Sequence, residues 1–293
     1  MKSSPVLLFR TDLDTENEKE TARAHLPVFV YRSEIPKRKI VFGRYSVLPY
    51  YRELYSEIST RFSLLVNTPE EHEYIADCQQ WAEGSLIGLT PAVYDRWDTL
   101  PEGAYVVKGR TNSRKQSWNT RMFAQDRAAV VQVARRLYDD ALLFDQGLVC
   151  RPYVPLRKLG EGLNGLPISN EWRCFFLRVA GKEKASVVLL AHGFYWASHP
   201  ELAAIASFPQ KARDLAMQAA TQFCPHAAFF VLDLAETATG EWIVIEANDG
   251  CMSGLACIPP AQFYAALATH APNVADADGV RLDHVFSRSF SPY

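Results

Sequence analysis

Apolar residues along this chain fall in short blocks separated by polar, proline or glycine positions. The blocks at 6–10, 27–32, 40–42 and 62–66 have strand length and predict four short strands. Polar residues 14–25 predict a surface helix, and 49–59 predicts a second. At 67–71 the run Asn-Thr-Pro-Glu-Glu is a helix start. Thr68 suits the cap, Pro69 the first turn, and Glu70 and Glu71 meet the positive end of the helix dipole. That helix is expected to run towards Trp81, and residues 1–85 read as one α/β unit. A second unit, 86–146, opens near Thr90-Pro91 with a helix over 91–98 and a strand over 104–107. It continues with a helix over 126–140 that carries Val130, Val133, Ala134 and Leu137 on one side. From Gly147 to residue 293 the pattern changes. Strands are expected at 148–156, 171–180, 185–191, 229–235 and 241–247, with hairpin turns at Gly181-Lys182 and 237–240, and helices at 209–223 and 260–269. Antiparallel hairpins mixed with helices point to an α+β fold.

Composition narrows the classes. Hydrophobic residues are 48% and charged residues 22% of 293, which supports a sizeable core. With 31 Lys+Arg against 33 Asp+Glu the net charge is -2, which argues against a globally basic nucleic-acid binder. No apolar run approaches the roughly 18 residues of a membrane span. The first ten residues carry a short apolar core without a cleavage pattern, so a strand is expected there rather than a secretion signal. The six cysteines form no CxxC pair and sit in apolar segments, which predicts reduced, buried thiols in a cytoplasmic protein and speaks against zinc.

Four segments carry candidate chemistry. Asp233 and Glu246 interrupt apolar strands of one predicted hairpin, and Glu246 and Asn248, two apart, share a face. A slip or bulge of one or two residues would set Asp233 opposite residue 245 or 246; the spacing alone does not fix the register. Two carboxylates and an amide meeting this way suit magnesium bridged to phosphates. The competing reading is a strand whose polar residues face water, against which stand Ile243, Val244 and Ile245. Lys108 ends a strand and precedes a polar, acid-free loop at 111–117, an arrangement able to hold phosphate. A lysine snorkelling to water is the alternative there. Arg110, Arg114, Lys115 and Arg121 flank Trp118, yet no nucleic-acid module accompanies them. Glu171 and Arg173 share a strand face, where Arg173 suits an anion or a cross-strand acid. Arg151, Tyr153 and Val154 surround Pro152, whose missing N–H suits a hinge strand with free backbone groups.

Taken in order, these segments resemble the ATP-grasp superfamily over roughly residues 90–255. The most specific part is Glu246-Ala247-Asn248 with the upstream Asp233. The resemblance implies two α+β subdomains gripping ATP after a small α/β N-terminal domain. It implies a ligase that joins a small-molecule carboxylate to an amine through an acylphosphate, with ATP and one or two Mg2+ ions and with neither nucleic acid nor membrane as partner. Lys108 would then bind phosphate, Arg114 and Lys115 would close over the γ-phosphate, and Arg173 would stabilise transferred charge. Arg151, Tyr153, Val154 and Glu171 would meet the nucleotide, and Asp233, Glu246 and Asn248 would hold the metal. The loop 250–254, with Ser253, would border the acceptor pocket. The phosphate loop departs from the family pattern, being basic with only Gly109 rather than glycine-rich, which marks a divergent branch. The alternatives are a small-molecule kinase using the same site and a non-catalytic nucleotide-binding protein.

Overall fold

The computed structural model describes residues 4–11, 16–47, 49–110, 117–139, 147–162, 165–199, 202 and 207–288. Strands β1 (Val6–Leu8), β2 (Val28–Phe29), β3 (Ile40–Gly43) and β4 (Leu64–Leu65) form a parallel sheet in the order β2-β1-β3-β4. Helices α1 (Glu16–Arg23) and α2 (Tyr51–Thr60) lie in the crossovers that parallel pairing requires. The block at 27–32 yields only the two residues of β2, because a 3-10 turn at Arg32–Glu34 ends it. Helix α3 (Pro69–Ala76) starts with a capping box. Thr68 Oγ1 accepts from the Glu71 N–H at 3.2 Å, and Glu71 accepts from the Thr68 N–H at 2.9 Å. The helix breaks short of Trp81 at Asp77, whose carboxylate accepts from the Gln79 N–H and starts α4 (Cys78–Glu83).

Strands β5 (Tyr105–Gly109), β6 (Phe123–Ala124) and β7 (Leu148–Pro152) make an antiparallel sheet in the order β6-β5-β7. A short helix α5 (Trp118–Arg121) precedes β6, and α6 (Arg127–Tyr138) covers the sheet with Val130, Val133, Ala134 and Leu137 buried, as its periodicity predicts. Residues 91–98 are not helical. Tyr94 exchanges both backbone hydrogen bonds with Cys150 at 2.8 Å, extending the chain along β7. Strand pairing and the burial of Val93 outweigh the helix-start signal at Pro91. A two-stranded ribbon follows, β8 (Lys158–Glu161) with β9 (Pro167–Ser169).

The central sheet is antiparallel in the order β11-β10-β12-β13, built from β10 (Glu171–Ala180), β11 (Ala185–Phe194), β12 (Phe229–Glu236) and β13 (Trp242–Asp249). Helices α7 (Gln210–Phe223) and α8 (Pro260–His270) complete the main framework. Strand alternation splits its core in two. Phe175, Leu177, Phe229 and Val231 face Leu7, Phe9 and Phe42 of the parallel sheet together with Phe263 and Leu267 of α8. Phe176, Phe230 and Leu232 face Ala216, Ala219, Ala220 and Phe223 of α7. Each such large side chain contributes about 1.5–3 kcal/mol when fully buried. The first face matters for the site, because it continues past the core to polar residues. None of the six cysteines is paired and five are buried; burial pushes the Cys150 thiol up to about 12. Among the described residues no helix is long and apolar enough to cross a membrane.

Candidate active site

Two residues beyond Val231 on the same face of β12 stands Asp233, 1% exposed. Its neighbour on β10 is Arg173, and its neighbour on β13 is Glu246. The second pairing depends on a bulge: Leu234 faces Val244 while Asp233 faces Glu246, so Ile245 is the extra residue. Without that bulge an isoleucine would stand opposite Asp233. Arg173, Asp233 and Glu246 therefore form a row across three strands, and Asn248 follows Glu246 on the same face.

Both acids of the row are ion-paired. Arg173 grips Asp233 with two hydrogen bonds, Nε to Oδ1 at 2.9 Å and Nη2 to Oδ2 at 2.7 Å. It also donates to the Gly254 carbonyl at 2.9 Å and lies 4.9 Å from the Tyr195 ring centre. Burial works against the Arg173 charge, but the Asp233 carboxylate more than reverses this and holds its pKa above the usual arginine value. Lys108, carried by β5, reaches across to Glu246 with Nζ–Oε1 at 2.8 Å. The end of the three-stranded sheet is thereby tied to the central sheet by a side chain that the strand-end position of Lys108 had singled out.

The Lys108–Glu246 pair is the common wall of two clefts. The first, about 190 Å3, is bordered by Tyr153, Val154, Glu171, Trp196, Ile243 and Ile245. Ile243 and Ile245 thus face a cleft rather than a core. The Tyr153 N–H is spent on the Ala104 carbonyl at 2.8 Å, whereas among the described residues Val154 has no backbone partner. Glu171 accepts a short hydrogen bond from Ser169 Oγ. Arg151 borders the cleft, but its guanidinium is turned to the protein. It donates to the Ile245 carbonyl at 2.6 Å and to Thr90 Oγ1, with Trp81 5.7 Å away, and its buried Nε has no partner among the described residues. Burial pulls the Arg151 pKa down. The second cleft, about 130 Å3, is bordered by Ser46, His72, Arg110, Asn248, Met252 and Ser253. Arg110 is engaged by Asp77 at 2.9 Å and Gln79 at 3.2 Å. Arg114 and Lys115 lie outside the described residues.

Residues 94–267 match the family described as ATP-grasp domain, R2K clade family 3. The chain belongs to the ATP-grasp family. The solved structures it resembles agree in fold. D-cycloserine synthetase DcsG is 16% identical, with a TM-score of 0.53 over 90% of this chain and 99% of that one. An L-amino acid ligase from Bacillus licheniformis is 12% identical, with a TM-score of 0.56 over 95% of this chain and 76% of that one. The ATP-grasp ligase PsnB, complexed with a phosphomimetic variant of its minimal precursor, Mg and ADP, is 13% identical, with a TM-score of 0.53 over 91% and 97%. No curated protein matches in sequence. The α+β architecture is therefore that of an ATP-grasp fold.

Of the expected donors, Glu246 and Asn248 border the second cleft, a carboxylate and an amide that suit a hard cation, whereas both Asp233 oxygens are held by Arg173 and border neither cleft. Among the described residues no three His, Cys, Asp or Glu side chains group as a metal site. Sequence reasoning missed the contribution of the N-terminal unit. Asn67, just before α3, donates to Asp249 Oδ1 at 3.0 Å and to the Phe229 carbonyl at 2.8 Å, and accepts from the Phe229 N–H at 2.8 Å. His72 meets Asp249 Oδ2 at 2.9 Å. The signals were there as a buried asparagine ahead of a capped helix and an acid next to Asn248, but nothing in the sequence joins positions so far apart. Arg44 likewise ties β3 to the C-terminal part through the Gly250 carbonyl, 2.7 Å away.

Proposed function

We propose that the protein is an ATP- and Mg2+-dependent ligase that joins a small-molecule carboxylate to an amine through an acylphosphate. The observation that carries this reading is the shared wall: one lysine–glutamate pair borders both a larger, mostly apolar cleft and a smaller one of mixed polarity. Such a wall suits transfer of a phosphoryl group from a nucleotide on one side to an acid on the other. In this reading the first cleft takes the nucleotide, with Val154 and Tyr153 at the base and Glu171 near the sugar. Residues 86–146 act as the lid subdomain, 147–293 as the C-terminal subdomain, and 1–85 as the N-terminal domain. Arg114 and Lys115 close over the γ-phosphate. Lys108 exchanges Glu246 for a phosphate oxygen, which releases Glu246, with Asn248 beside it, to hold one or two magnesium ions, while Asp233, the third expected ligand, stays with Arg173. Bound there, magnesium neutralises phosphate charge. Arg173, fixed by Asp233, presents positive charge to the row where the acylphosphate forms. No protein nucleophile is needed, so positioning and charge neutralisation supply the rate. We place the activity in the cytoplasm, where ATP is supplied.

The test is a panel of amino acids and small acids incubated with Mg-ATP, with and without added amine. Amine-dependent phosphate release with an amide product is expected. A stable phosphoester product would make the protein a kinase, and nucleotide binding without turnover would make it a non-catalytic binder.

A further inference from the structure

The second cleft holds a histidine whose geometry the reading above does not use. His72, on α3, is 7% exposed, and its ring borders that cleft. Nδ1 lies 2.9 Å from Asp249 Oδ2. Asp249 is itself held at its other oxygen by the Asn67 amide at 3.0 Å and the Cys251 N–H at 2.7 Å. The phenol ring of Tyr51 stacks on the imidazole with centroids 4.0 Å apart and planes 7° apart, and Tyr51 Oη is anchored on the Asn67 carbonyl at 3.0 Å. Ring position and ring plane are thus both fixed. A carboxylate at Nδ1 sets the neutral tautomer with the proton on Nδ1 and the lone pair on Nε2. Among the described residues Nε2 has no hydrogen-bond partner, and it is not among the buried polar atoms left unpaired.

The chemistry proposed for the site contains a step in need of such an atom. An amine enters water-borne as an ammonium ion, which has no lone pair with which to attack. Lys108 and Arg110, the cations bordering the cleft, cannot accept a proton in their charged forms. Resting on the ligase reading, we propose that the second cleft takes the attacking amine and that His72 Nε2 removes its proton, with Asp249 as the positioning residue. The ammonium gives one proton to Nε2, forming an imidazolium held by Asp249. The free amine attacks the acyl carbon. The C–N bond forms, the bond from carbon to the phosphate oxygen breaks with its electron pair going to phosphate, and the second proton from nitrogen leaves on the phosphate. The imidazolium then returns its proton to water. The amine shares this cleft with the acid that it attacks.

The experiment compares the full-length wild type with His72→Asn and His72→Ala. The asparagine variant keeps a donor towards Asp249 and removes Nε2; the alanine variant opens space for free imidazole. Each is given Mg-ATP and the panel of acids, with glycine or alanine as the amine in one arm and hydroxylamine in the other. Hydroxylamine is unprotonated at neutral pH and traps an acylphosphate without a base. In both variants the ratio of amide to hydroxamate is expected to fall by at least about 100-fold, and imidazole is expected to restore part of the amide formation in His72→Ala. Equal loss of both products in a variant with a normal melting curve, or no imidazole rescue, overturns the role of His72 while leaving the ligase reading in place. Absence of hydroxamate from the wild type with every acid overturns the ligase reading, and this inference with it. If His72→Ala does not fold, the product ratio of His72→Asn decides alone.

Discussion

The two ion pairs of the active-site row look alike in sequence and differ in construction. Arg173 and Asp233 meet through two parallel hydrogen bonds, with the Asp233 side chain 2% exposed. Lys108 and Glu246 meet through one contact, with the Glu246 side chain 16% exposed. The first pair is closed by the guanidinium fork and by the Gly254 carbonyl. The second lies between two clefts and is a point contact with a flexible stem. The difference teaches which charge is part of the frame and which is exchangeable. A fork locked onto a sealed carboxylate fixes direction, whereas an ammonium on a four-carbon stem can trade one oxygen for another.

The comparison is most strongly tested by Arg173→Met. It leaves Asp233 buried and unpaired, and an expected loss of about 3–5 kcal/mol in a denaturant titration would identify this pair as frame. A loss as small as that of a surface pair would make the two pairs equivalent. Next is Glu246→Gln, which keeps shape and leaves an amide oxygen for Lys108. Stability is expected to stay near wild type. The magnesium requirement for turnover is expected to rise by more than the roughly 10–100-fold that loss of a residue behind a metal ligand causes. Wild-type turnover at limiting magnesium would move the metal site elsewhere; Asn248→Ala, losing a neutral ligand, should be milder. Lys108→Met should weaken ATP binding in calorimetry by about 1.5–3 kcal/mol. Its stability loss should be smaller than that of Arg173→Met, since Glu246 can reach water. Unchanged ATP affinity would remove Lys108 from the site.

The smallest expected effect comes from His192. His192 stacks on Phe208 with centroids 4.4 Å apart, its buried Nδ1 has no partner among the described residues, and Arg213 lies 3.3 Å from its Nε2. Burial, then Arg213, pulls its pKa below 6.5. The unfolded chain therefore takes up this proton first. Stability should fall as pH drops through 6.5 and level off below the folded value. Denaturant midpoints from about pH 7 to about pH 5 should decline less steeply in His192→Phe. An equally steep decline would assign the acid sensitivity to other groups.

The sequence made several elements legible because their signals are local. The capping box at Thr68, the buried stripe of α6 and both hairpins of the central sheet follow from adjacent residues. Asp233 and Glu246 stood out because each interrupts an apolar strand. What stayed hidden was of longer range. The bulge at Ile245 that sets Glu246 opposite Asp233 is a choice among registers of similar pattern. The extended course of 91–98 is decided by Cys150, more than fifty residues away, and the helix break at Asp77 by a cap that competes with continuation. Asn67 and His72 acquire their partners only when the parallel sheet docks on the central one, so no window of sequence shows them facing Asp249.

Because Lys108 and Glu246 belong to both clefts, the clefts are thermodynamically linked. Any occupant of the first that draws Lys108 off Glu246 leaves that carboxylate without its lysine at the edge of the second, and so alters what the second will hold. Linkage is reciprocal, so an occupant of the second must change affinity in the first by the same factor. A cation in the second cleft would favour the separated pair and an anion would oppose it. Order of binding would then be a property written into a single hydrogen bond of 2.8 Å.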